Sequence, residues 1–147
     1  MPAPVAGATA PAGKAGADSG EKKPAASKSD EIPRDFDGLM ERADRYKKSG
    51  DMGRAVVYYE KASEMKPGYS EVHYKLAECY RAQGDCNEAI EHYRKAIDLS
   101  GFRNAFVGQA KCHLARGQKA EARKVLEEGL GRYDDGLMKM MLEQIGN

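Results

Sequence analysis

The 147-residue chain contains no tryptophan, three phenylalanines and three cysteines. An odd number of thiols, with no apolar leader after Met1, argues against a disulfide framework and favours free thiols in a reducing cytoplasm. Long hydrophobic runs are missing too. The longest stretch of large apolar residues, Ala55 to Tyr59, falls far short of the about 20 residues that span a bilayer. Charge of one sign is also lacking: 24 Lys and Arg stand against 23 Asp and Glu, a net +1. That balance gives no field to draw the chain onto nucleic acid or an anionic membrane, so neither is an expected partner. Proline is nearly confined to one end, with five of six in residues 1–34. The same segment has only Val5 and Ile32 as large aliphatic residues and cannot bury enough area to offset the entropy of ordering. It is expected to be a disordered tail, and the folded domain is expected over 35–147.

What the chain does have is a period. Ala43, Gly50, Ala55, Tyr59 and Ala62 return 34 residues later as Ala77, Gly84, Ala89, Tyr93 and Ala96. Three of them return again 33 residues on, as Ala110, Gly117 and Ala122. Glycine inside a helical pattern costs about 1 kcal/mol and small side chains bury little area, so matched small residues signal close helix packing. Apolar residues follow the i, i+3, i+4, i+7 rhythm on both sides of each glycine, as in Phe36, Leu39, Met40, Ala43 and Tyr46. Asp51 and Asp85 stand where second helices should be capped, and Glu88 gives Asp85 the spacing of a capping box. The second-helix stripe of the first unit is Ala55, Val56, Tyr59, Ala62 and Met65. The reading is three antiparallel helical hairpins over 36–69, 70–102 and 103–136, then a capping helix over 137–146. The residue missing from the last period should shorten the loop at Ser100 to Arg103. Units of this kind bury their faces only by stacking.

These residues resemble the tetratricopeptide repeat family. The first unit supplies Leu39, Ala43, Tyr46, Gly50, Ala55, Tyr59, Ala62 and Pro67, with Arg42 where the family has leucine. The second supplies Leu76, Ala77, Tyr80, Gly84, Ala89, Tyr93 and Ala96. The third keeps Phe106, Ala110, Gly117, Ala122 and Leu126, while Gln109, His113, Gly129 and Asp134 depart. The resemblance implies an all-α, right-handed superhelical stack with a concave side lined by the first helix of each hairpin. It also implies that this groove holds an extended or helical segment of another protein.

The groove face follows from the positions left over after packing. It comprises Asp37, Met40, Glu41, Asp44 and Lys48 in the first hairpin, and Glu71, Tyr74, Lys75 and Glu78 in the second. Asn104, Val107, Gly108 and Lys111 complete it. Its first half is acidic, Met40 and Tyr74 are apolar anchors, and Lys75 and Lys111 stand at the far end, which suits a partner with a basic and an apolar residue. One subtype of the family clamps a terminal carboxylate with a Lys and Asn set. Here the corresponding places hold Met40, Asp44, Lys75, Asn104 and Gly108, and Asp44 would repel the carboxylate.

No catalytic, metal-binding or cofactor-binding set stands out. His73, His92 and His113 fall in three different helices, Cys112 and His113 point about 100° apart on one helix, and no Gly-rich phosphate loop is present. Cys79 and Cys112 occupy matching places and could approach each other; Cys86 should be exposed. The expected function is that of an adaptor or scaffold. The alternatives are a chaperone-like holder of a secreted or unstable client, resembling bacterial secretion chaperones, and a self-assembling scaffold.

Overall fold

The computed structural model describes residues 31–146, so nearly all of the expected tail lies outside the described residues. Among those residues there are seven helices and no strand: α1 (Phe36–Lys48), α2 (Met52–Met65), α3 (Ser70–Ala82), α4 (Cys86–Ser100), α5 (Arg103–Ala115), α6 (Lys119–Arg132) and α7 (Gly136–Ile145). Each packs on its neighbours in sequence, and α3 also reaches α5, which makes an all-α helical-repeat solenoid.

The turns explain the period. Gly50, Gly84 and Gly117 adopt φ of 89°, 84° and 75°, a conformation costly for any residue with a Cβ. Each closes a Schellman turn: Gly50 N–H donates to Lys47 O at 3.1 Å and Asp51 N–H to Tyr46 O at 2.9 Å. The pattern repeats at Gly84–Asp85 and Gly117–Gln118. The residue after the glycine then opens the next helix. Asp51 accepts from Arg54 N–H at 3.1 Å, and Asp85 accepts from Glu88 N–H at 3.3 Å. Gln118, at the third such place, makes no cap bond, because its amide oxygen accepts from His113 Nδ1–H at 2.8 Å instead. Asp85→Ala should therefore cost about 1 kcal/mol in a urea melt, and Asp85→Asn almost nothing.

The core is a ladder of small and aromatic residues. Ala43, Ala55, Ala62, Ala77, Ala89, Ala96, Ala110 and Ala122 have no exposed surface, so paired helices approach closely. Tyr59, Tyr93 and Phe106 fill the spaces between hairpins and are also fully buried. Gly129 stands in the alanine row of Ala62 and Ala96 for a steric reason. A Cβ there would lie 2.7 Å from Met138 Sδ and 2.9 Å from Phe106 Cγ, because α7 presses its buried Met138 onto that point. Gly101 and Phe102 alone link α4 to α5, whereas Lys66 to Tyr69 link α2 to α3. One expected core residue is misplaced: Met65 is 49% exposed, since the last turn of α2 runs past the hairpin it packs on.

Candidate partner-binding face

On the first helices α1, α3 and α5, the charges of Asp44, Glu71, Lys75 and Glu78 are committed to the scaffold. Tyr59 of α2 donates its hydroxyl to Asp44 Oδ1 of α1, and Lys75 of α3 meets the same oxygen at 2.8 Å. The arrangement recurs one repeat on. Tyr93 of α4 donates to Glu78 Oε2 at 2.6 Å, while Arg81 reaches Tyr93 Oη at 3.0 Å and Glu78 Oε1 at 3.0 Å. Burial alone would raise both carboxyls, but the hydrogen bonds and the Lys75 and Arg81 charges outweigh it, and both titrate below their ordinary range. The tyrosine hydroxyls are pushed up by burial and by the carboxylates they donate to.

The third hairpin breaks the pattern. Leu126 stands where Tyr59 and Tyr93 do, and Lys111 where Asp44 and Glu78 do. With no hydroxyl behind it, Lys111 is exposed and carries an uncommitted charge. Beside it lies a depression of about 220 Å³ lined by Tyr74, Glu78, Asn104, Val107, Gly108 and Lys111. Tyr74 is held there by stacking on Phe102 (centroids 4.8 Å apart) and leaning on Tyr93 at 6.0 Å.

The structure thus brings six of the sequence-derived groove residues to one depression. Asp37, Glu41 and Lys48 are exposed along α1, and Met40 is half-buried against the N-terminal core. Two expectations need correction. Lys75 does not serve as a free far-end cation, because Asp44 at 2.8 Å and Glu71 at 3.9 Å neutralise it. Gly108 offers only backbone: a Cβ on it would lie 2.3 Å from Tyr93 Cζ, so its role is close packing of α5 on α4. Arg81, Asp135 and Leu137 also line the depression and were not foreseen. Arg81 could have been found from its i+3 spacing to Glu78. Asp135 and Leu137 arrive only because α7 docks at that end, with Asp135 capping α7 and pairing with Arg103 at 3.3 Å.

The remaining reactive groups are engaged in packing. His73 Nε2–H donates to Pro67 O at 2.9 Å, which leaves its Nδ1 to accept from His92 Nδ1–H at 3.5 Å. The two rings lie near-parallel with centroids 5.7 Å apart, and Tyr80 stacks on His92 at 5.5 Å. Cys79 and Cys112 do not share a cluster: Cys79 belongs to the N-terminal core and Cys112 to the C-terminal one. Cys86 is half-buried rather than exposed and sits beside Cys112. Burial pushes the Cys79 thiol up to about 11; burial and then Cys86 push Cys112 to about 12, so neither is a thiolate at neutral pH. Among the described residues no group of three or more His, Cys, Asp or Glu could hold a metal ion, and no helix is long and apolar enough to cross a membrane.

Comparison with known proteins adds an independent line. No curated protein matches the sequence. Several solved structures share the fold. The first repeat domain of Spaghetti (RPAP3), bound to an HSP90 peptide, is 20% identical with a TM-score of 0.68, over 75% of this chain and 91% of that one. The type III secretion chaperone SycD of Yersinia enterocolitica, in complex with a peptide of the translocator YopD, is 21% identical with a TM-score of 0.71, over 75% and 91%. The N-terminal domain of stress-induced protein-1 from C. elegans is 15% identical with a TM-score of 0.72, over 76% and 94%. At these identities they establish the fold alone. A tetratricopeptide repeat model matches residues 46–99 and, overlapping them, 80–145. With hairpin, turn and alanine ladder in agreement over that span, the chain belongs to the tetratricopeptide repeat family.

Proposed function

We propose that the protein is a non-catalytic adaptor that holds a segment of a partner protein against α1, α3 and α5. The observation that carries this is the depression at Tyr74, Asn104, Val107 and Lys111, where an apolar anchor, an amide and an uncommitted cation meet. Asp37 and Glu41 supply the opposite sign at the α1 end. A segment with an apolar residue over Tyr74, an acidic residue towards Lys111 and a basic residue towards α1 would satisfy all three. The peptides bound by the domain of Spaghetti and by SycD support a peptide ligand in general. The SycD likeness also favours a second reading, a holder of an unstable client, which would show as one aggregation-prone protein kept soluble by co-expression.

Selection from a displayed random-peptide library tests the reading. The recovered consensus should carry the acidic–apolar–basic order, and Lys111→Glu, at an exposed position, should weaken it about tenfold or more, the melting temperature staying put. Affinity unchanged in that variant would move the site off this face.

A further inference from the structure

The third hairpin also departs from the first two on its opposite side. On α5, Gln109 lies about 200° around the helix from Lys111, so it faces away from the groove. In the repeat, Gln109 takes the place of Leu76 and Arg42, His113 that of Tyr80 and Tyr46, and Val125 that of His92 and Tyr58. In the first hairpin those places are filled by a ring stack, Tyr46 on Tyr58 at 5.5 Å. Two of the chain's own guanidinium groups flank it: Arg42 lies 5.7 Å over Tyr58, and Arg54 lies 5.5 Å over Tyr46. In the second hairpin Tyr80 stacks on His92 at 5.5 Å and Leu76 is fully buried. In the third, Val125 cannot stack, and a pocket of about 330 Å³ opens between α4, α5 and α6.

Its lining is that of a binding site rather than of a packing flaw. Gln109 is only 5% exposed, and its side-chain amide meets no protein partner among the described residues, an arrangement that costs stability unless something fills it. His113 donates through Nδ1 to Gln118, which leaves Nε2 as an acceptor. Ile97 and Val125 give an apolar wall. Asp98, Glu121 and Glu128 bring three carboxylates against Arg94 and Lys124, and Glu121 occupies the repeat place of Arg54. Of these, Arg94 leans on Glu91 at 3.9 Å and Glu128 on Arg132 at 3.4 Å, leaving two uncommitted carboxylates to one ammonium.

We propose that this pocket takes the guanidinium of an arginine side chain presented by a protein partner, in the position that Arg42 and Arg54 occupy in the first hairpin. A guanidinium is planar and presents a fork of donors, which can reach Gln109 Oε1, His113 Nε2 in the plane of its ring, and the rim carboxylates. Its aliphatic stem would cover Ile97 and Val125. The site is separate from the groove on α1, α3 and α5 and stands or falls independently of it.

An NMR titration of the full chain with Nα-acetyl-arginine N-methylamide is the test. Saturable shifts are expected at the Gln109 side-chain amide, His113 and the Val125 methyls, with a millimolar dissociation constant and no movement of Tyr74 or Lys111. The lysine and citrulline counterparts should bind about tenfold more weakly, lacking the fork or the charge. Gln109→Leu with His113→Tyr, which installs the second hairpin's residues, should abolish the shifts at the Val125 methyls while the protein melts no lower. Glu121→Gln, at an exposed position, should weaken binding severalfold and serves should the double variant misfold. Absence of saturable shifts, equal affinity for the lysine counterpart, or undiminished binding by these variants would overturn the assignment.

Discussion

Gly108→Ala is expected to destabilise the protein by about 2–3 kcal/mol, a large effect for a single methyl group. The added Cβ would lie 2.3 Å from Cζ, 2.4 Å from Cε1 and 2.6 Å from Oη of Tyr93. Tyr93 cannot step aside cheaply, because the ring is fully buried and its hydroxyl is held by Glu78 and Arg81. The clash therefore propagates into α3 and loosens the junction of the second and third hairpins. A urea melt measures it, and Tyr93→Leu in the same chain should recover much of the loss, giving a strongly non-additive cycle. Gly53→Ala supplies the opposite sign. Within α2 its added Cβ would meet nothing closer than 3.9 Å, so the protein should gain about 0.4–1 kcal/mol from a stiffer unfolded chain. Equal effects at both glycines would refute the close-packing role of Gly108.

The second large effect is an acid sensitivity centred on His92. Burial, then the Lys95 charge and then His73, depress its pKa from 6.5 to about 4. The folded ring thus binds a proton less readily than the unfolded one. The stability it contributes is present above pH 6.5 and is lost as pH falls from there towards 4. The shift corresponds to at most about 3 kcal/mol, and a ring in partial contact with water should show about 1–2. The structure explains the direction. Protonation would place a cation on a largely buried ring, near the Lys95 ammonium and beside His73. His92→Tyr, the residue found at the equivalent place in the first hairpin, should flatten the melting temperature between neutral pH and about pH 5. Below that range Asp44 and Glu78, both titrating under their ordinary values, add a further loss as they protonate. A variant that keeps the full slope would place the acid sensitivity elsewhere.

How far the sequence reached depends on whether a feature is local. The positive-φ glycines, the Asp51 and Asp85 caps and the alanine rows were legible because each depends on residues within one turn or at a fixed period. The groove residues were legible as a helix face but not as an electrostatic object. Nothing in the spacing of Asp44, Tyr59 and Lys75 says that all three meet at one oxygen, since the pairing crosses hairpins. The departures at Gln109 and His113 were visible as departures, yet the opening they create depends on what α4 and α6 place opposite.

The sequence by itself determined the hairpins, their number and the faces they bury, because helix periodicity, capping and small-residue packing act over short distances and repeat. Only the tertiary structure decided which charges remain available. Side-chain neutralisation is set by distances between helices, and a substitution as small as Leu126 for tyrosine frees Lys111 without leaving any mark in its own neighbourhood of the chain.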